Sequence, residues 1–215
     1  MQKFTGMMAA LNRFISRSAE RCRPFFLLLH KWKEFRWYEE CVIAFQELKR
    51  YLSHPPIMSS PVVDEIIFTY IVVTLHAISL VLIRVDSGIQ RPVYYVSKSL
   101  NKAKVHYLPL EKVILAVVHA TRKLPHYFQA YTVVVLTQLP LKSVLRRADY
   151  TGRIAKWGTI LGAFDIKYMP RTSIKGQVLA DLVAEFAECP EEVEMGSETL
   201  VERLVSVAFI QGLSP

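Results

Sequence analysis

Apolar residues recur at spacings of three and four over the first fifty positions, then in short β-branched runs through the middle of the chain. The period therefore changes near residue 60. Phe4, Met7, Met8, Leu11, Phe14 and Ile15 form one helical face, and Pro24 to Trp32 is apolar with basic flanks. Glu39 to Leu52, EECVIAFQELKRYL, sets Val42, Phe45, Leu48 and Leu52 on one side, with two glutamates at the end where a helix dipole favours negative charge. Pro55-Pro56 stops this helix, and HPPIMSSP, His54 to Pro61, marks a boundary.

Downstream, Ile66 to Thr74, Ile78 to Val85 and Pro92 to Ser97 are expected to be strands close enough for an antiparallel meander, with Asp86-Ser87-Gly88 as the second turn. A helix from about Pro109 to Leu124 follows, then a strand over Thr132 to Leu136. Next come helices near Leu141 to Arg146 and Ile154 to Phe164, a strand over Ile166 to Met169, and a helix from about Gly176 to Phe186. A meander followed by alternating helices and strands describes an α/β fold with a five-stranded mixed sheet flanked by helices, preceded by a small helical segment.

Hydropathy raises one competing picture. Ile66 to Ile83 is eighteen residues without a formal charge, the lower limit for a spanning helix, so a single-pass membrane protein is the alternative. Its β-branched content, the Thr74 to Ser79 polar interruption and the turn at Asp86 favour two buried strands. The start, MQKFTGMMAALNRF, lacks a small-residue cleavage site after its apolar run, and no signal peptide is read there.

Charge points to a partner. The net charge is +8, and the last thirty residues hold six Glu and one Arg, leaving +13 over residues 1–185. A basic body of this kind suits a polyanionic partner, usually nucleic acid or an anionic membrane surface. Cys22, Cys41 and Cys189 have neither metal-ligand spacing nor an even count, which fits a reducing, intracellular setting in cytoplasm or nucleus. His106, His119 and His126 share no ligand spacing with a cysteine and are read as packing or surface residues.

Chemistry-bearing motifs are sparse. The eight glycines form no phosphate loop, and His-Glu-x-x-His, Gly-x-Ser-x-Gly and a paired Asp-Asp are absent. Two carboxylates stand out: Glu111 in the first turn of its helix and Asp181 within the apolar GQVLADLVAEF. A solvated or dipole-stabilising acid is the plain alternative for each.

The phrases LNRFISRSAERCRPF, EECVIAFQELKRYLSHPPIMSSP, RPVYYVSKSL, YLPLEKVILAVVHATRKLPHYF, GRIAKWGTILGAFDIKYMPRT and GQVLADLVAEF run in order over residues 3 to 187. In that order they resemble a gypsy-type long-terminal-repeat retrotransposon polyprotein of the kind abundant in plants: the end of its reverse transcriptase and its RNase H-like domain. The resemblance implies a thumb-like helical tail over 1–60, an RNase H-like domain over 61–187, and an acidic linker or truncated segment over 188–215. The polymerase palm with its paired aspartates has no counterpart here. The remainder of the reverse transcriptase and integrase polyprotein is the implied protein partner, and an RNA/DNA hybrid the implied nucleic acid.

RNase H chemistry in such a family is hydrolysis of a phosphodiester by two Mg²⁺ ions held by four carboxylates, because hard cations take oxygen ligands and must flank the scissile phosphate. Carried over by motif, Glu111 and Asp181 match two of the four, as remnants of both the catalytic and the metal-binding set. The other two positions fall on Val72 and Gln138, which bring no negative charge. Binding of Mg²⁺ is therefore doubtful, and the resemblance implies a catalytically degenerate domain that at most binds nucleic acid or acts as a scaffold. An active Mg²⁺-dependent endonuclease is the alternative. Arg146, Arg147, Arg153, Lys156, Arg171 and Lys175, interleaved with Trp157 and Tyr168, are the expected nucleic-acid-binding residues.

Overall fold

The computed structural model describes residues 2–30, 37–146 and 152–171. Asp181, Arg147, Lys175, the helix expected over Gly176 to Phe186 and the segment 188–215 lie outside the described residues. In chain order the elements are helices α1 (Gln2–Leu11), α2 (Ser18–Arg21), α3 (Arg23–His30) and α4 (Glu39–Ser53), strands β1 (Ile67–Val73), β2 (Ala77–Asp86) and β3 (Ile89–Ser99), helices α5 (Lys102–Val105), α6 (Pro109–Lys123) and α7 (Pro125–Ala130), strand β4 (Val133–Leu136), helices α8 (Leu141–Arg146) and α9 (Arg153–Gly162), and strand β5 (Ile166–Met169). A single 3₁₀ turn, Asn12–Phe14, follows α1.

The strands form one sheet in the order β3-β2-β1-β4-β5. The meander β1-β2-β3 is antiparallel, whereas β4 runs parallel to both β1 and β5. This is the mixed, helix-flanked sheet expected from the pattern. The β2–β3 hairpin closes over Ser87 and Gly88, both at positive φ (51° and 84°), as a two-residue loop matched to strand twist requires. β3 extends upstream of its expected start and passes through Pro92. It can do so because it is an edge strand and a register shift between Leu82 and Ile83 lies opposite.

β1 reads as a continuous apolar run because both its faces are covered. Ile67 and Ile71 pack with Ile114 and Val117 of α6, and Tyr70 packs on the opposite face with Val81, Ile83, Tyr95, Val134 and Leu136. Residues 66–83 are thus two strands and their turn. No helix among the described residues is long and apolar enough to cross a membrane, which corrects the spanning-helix alternative.

The N-terminal helices bury a separate cluster around Ile15, Phe25, Cys41 and Leu48. Here α4 is rotated by about one residue from expectation. It buries Cys41, Ala44 and Leu48, while Val42 and Phe45 are 39% and 42% exposed. Phe45 instead meets the rings of Phe4 and Trp37 at 5.8 and 6.4 Å on the rim of the cluster. Contact with the sheet is made through α2, where Ser97 Oγ accepts from Ala19 N at 3.0 Å and Ser99 Oγ donates to Ala19 O at 3.5 Å.

Candidate functional site

Of the two positions without carboxylates, Val72 lies near the C-terminal end of β1 and Gln138 two residues past the end of its neighbour β4. β1 and β4 pair in parallel through Ile67–Val133, Phe68–Val134 and Thr69–Val135. β4 stops at Leu136, and the chain leaves it through Thr137, whose N–H donates to Met169 O at 2.9 Å, so Gln138 lies just past the paired residues. Val72 is 4% exposed and Gln138 is exposed. Strand alternation puts Val72 on the Tyr70 face, in a row that crosses Ser79 and Ser97 and ends beneath α2.

A fixed cation lies at this end of β1. From just past β5, Arg171 donates from Nη2 to Ile71 O at 3.0 Å, and its guanidinium carbon lies 5.9 Å from the centre of the Tyr70 ring. Since β4 ends at the level of Tyr70, the Ile71 carbonyl takes Arg171 as its partner. Burial lowers the Arg171 pKa, and the Tyr70 phenol partly offsets that. Tyr70 is fully buried and its hydroxyl accepts from Gln90 Nε2 at 3.1 Å; burial raises its own pKa.

Glu111 sits at the start of α6, 9% exposed, with both carboxylate oxygens engaged. Oε2 accepts from Leu108 N at 3.0 Å, which satisfies a helix-terminal donor that Leu108, lacking a side-chain oxygen, cannot reciprocate. Oε1 accepts from Arg153 Nε of α9 at 2.9 Å. The same guanidinium stacks 4.2 Å from the Tyr107 ring centre. Beside it, buried Lys112 donates from Nζ to Thr74 O and Leu75 O, each at 3.2 Å, which fixes the start of α6 over the β1–β2 turn. Residues that sequence reasoning passed over thus set the geometry here: Lys112, Leu108 and Tyr107.

Residues 37–135 match the RNase H-like domain found in reverse transcriptase. The match starts upstream of α4, so it runs across the boundary expected near residue 60. Curated relatives are polyproteins of transposons. Transposon 297 of Drosophila melanogaster is 25% identical over 169 residues, covering 78% of this chain and 16% of the relative. The Tf2-3 polyprotein of Schizosaccharomyces pombe is 24% identical over 219 residues, covering 95% and 16%. The chain thus spans about a sixth of the length of these relatives. Among solved structures, the foamy viral protease-reverse transcriptase in complex with RNA/DNA hybrid superposes with a TM-score of 0.67 at 16% identity, over 92% of this chain and 27% of that one. The same protein in complex with dsDNA gives 0.63 at 16%, over 79% and 37%.

RNase H-like domains generally use Mg²⁺. The residues at the expected positions do not fit a pair of such ions: Glu111 is paired with Arg153, position 138 is an amide, position 72 is an isopropyl group, and Arg171 adds a guanidinium beside β1. No cluster of three or more His, Cys, Asp or Glu side chains suited to a metal occurs among the described residues.

The expected nucleic-acid-binding residues differ in their surroundings. Arg171 turns inward to Ile71, Arg153 pairs with Glu111, Lys156 is exposed on α9, and Arg146 is exposed at the end of α8. A second group of cations went unnoticed in the sequence. His119 lies within the electrostatic reach of Lys98, Lys123, Lys104 and Arg122, and burial first, then those cations, push its imidazole down to about 4. The signal was present in the composition: from Ser87 to Phe164 the chain holds twelve Lys or Arg against two acids, Glu111 and Asp149.

Proposed function

We propose that this chain is a retrotransposon-derived RNase H-like domain that has lost hybrid cleavage and serves in nucleic-acid binding or as a scaffold within a Pol polyprotein. The observation that carries the reading is at the C-terminal end of β1: uncharged Val72 is buried there, Gln138 follows the end of the neighbouring β4, and the Arg171 guanidinium donates to the carbonyl of Ile71. A permanent cation and two uncharged side chains are the reverse of what two dications need. Arg146, Arg153 and Lys156, with Arg147 and Lys175 as further candidates, would contact phosphates without chemistry. The binding of an RNA/DNA hybrid by the foamy viral neighbour is in keeping with such a partner.

The motif phrasing supports a gypsy-type, plant-like source, with residues 1–60 as a thumb-like tail, 61–187 as the RNase H-like domain and 188–215 as an acidic linker. A self-contained cluster around Phe25 and Leu48 supports treating the tail as its own unit.

The test is incubation of the purified chain with labelled RNA/DNA hybrid and Mg²⁺ or Mn²⁺, beside the double replacement Val72→Asp/Gln138→Asp. The expected result is retention of the hybrid without cleavage by the unmodified chain. Robust cleavage that Glu111→Gln abolishes overturns the proposal; cleavage confined to the double replacement supports it.

A further inference from the structure

Along the flank where α6 lies over the edge strand β3, like charges crowd together. Tyr94, Val96 and Lys98 alternate onto the face of β3 that α6 covers, since their partners Leu82, Leu80 and Ile78 belong to the α6-side core. On α6, His119, Arg122 and Lys123 stand one turn apart on neighbouring positions, and α5 brings Lys104 to the same end. Lys123 Nζ lies 6.0 Å from the centre of the Tyr94 ring, and the guanidinium carbon of Arg13, arriving from the 3₁₀ turn, lies 5.3 Å from it. Tyr94 in turn meets Tyr127 edge-on at 6.3 Å.

Nothing described offsets these charges. Among the described residues, none of Arg13, Lys98, Lys104, Arg122 and Lys123 pairs with a carboxylate; the ion pairs present go to Arg17, Arg84, Arg91 and Arg153. Burial, then Lys104 and Arg122, lower the pKa of Lys98. Like charges held together at a cost, on a rigid strand and helix, with aromatic rings between them, form a surface for an external polyanion. Arg122 also lines an open depression of about 410 Å³ with Arg153 and Lys156, so the positive track continues onto α9.

We infer that the α6–β3 flank, through Lys98, Lys104, Arg122, Lys123 and Arg13 around Tyr94, is a binding surface for the sugar-phosphate backbone of nucleic acid. The inference rests on the nucleic-acid-binding reading above and places the main phosphate-binding cations away from the β1–β4 edge. A repeating phosphate backbone suits this geometry better than a compact anion, because the cations spread over a strand and a helix rather than converging on one point.

The test is anisotropy of a labelled hybrid of about 20 base pairs, titrated with the full chain between about 50 and 200 mM salt. The chain with Lys98, Lys104, Arg122 and Lys123 all replaced by Gln is compared with Arg146→Gln/Lys156→Gln. The four-site variant is expected to bind more than tenfold more weakly at low salt, with a log–log salt slope shallower by up to about 3.6, since each phosphate left without its cation takes away about 0.9. Thermal melting checks that it folds, and the two-site charge reversal Lys104→Glu/Arg122→Glu must weaken binding in the same direction. Unchanged affinity and slope in a folded four-site or reversal variant overturns the inference while leaving the broader reading intact. No binding of hybrid by the unmodified chain overturns both, as does binding to anionic phosphatidylserine vesicles in preference to hybrid.

Discussion

Glu111 and Arg153 are joined across 42 residues of sequence by a 2.9 Å hydrogen bond that ties the start of α6 to the start of α9. The carboxylate that sequence resemblance marks as a metal ligand thus also joins two helices in this chain. Its side chain is 11% exposed while that of Arg153 is 52% exposed, so the buried end of the pair is the one whose loss should be felt.

Replacing Glu111 by Ala removes a helix-terminal cap and leaves Leu108 N unmet, and is expected to cost about 1 to 2 kcal/mol. Glu111→Gln keeps an oxygen for Leu108 N and should cost less. Urea unfolding midpoints check the order; equal loss in both variants would place the stabilisation in the charge rather than the cap.

Lys112 is 6% exposed and meets two carbonyls of the β1–β2 turn. Lys112→Met keeps the stem but strips both hydrogen bonds, with an expected loss of about 1 to 2 kcal/mol. Faster amide exchange at Thr74 to Ala77 should accompany it.

His119 carries a pH signature. Its folded pKa, about 4, lies below the ordinary value of 6.5, so the unfolded chain binds the extra proton between them. This contribution to stability is fully present above about pH 6.5 and is lost as pH falls through about 4. After discounting for solvent screening the loss is roughly 1 kcal/mol. His119→Gln should flatten the melting temperature over that window relative to the unmodified chain.

Cys22 is 2% exposed, and burial, against a smaller opposing effect of Arg21, pushes its thiol up to about 11. It should resist thiol reagents at neutral pH and react only on unfolding. Mass spectrometry of timed labelling reads this directly.

A carboxylate restored at position 72 would enter a buried site next to Arg171. Val72→Asp should destabilise by several kcal/mol, and by more when Arg171 is Met, since the cation then no longer compensates the charge. A double-mutant cycle by chemical denaturation gives the coupling.

Much of the fold was legible because period and composition agreed. The β-branched runs at Ile66 and Ile78 became β1 and β2, and the Ser87-Gly88 turn closed the hairpin where expected. The buried face of α4 was misjudged because Val42 and Phe45 are as apolar as the residues actually buried, and only the neighbouring helices decide which side faces in. Arg171 looked like a surface cation because nothing local in sequence reveals the open carbonyl of Ile71 a hundred residues away. The cations around His119 were equally hidden, being spread over β3, α5 and α6 and gathered only by the packing of α6 on the sheet.

The most direct test of the central claim, that the β1–β4 edge cannot hold the two-ion centre, is titration of the purified chain with Mn²⁺ followed by electron paramagnetic resonance. No saturable site below millimolar concentration is expected, with or without a bound hybrid. Saturation by two Mn²⁺ ions with spin–spin coupling, lost in Glu111→Gln, would contradict it.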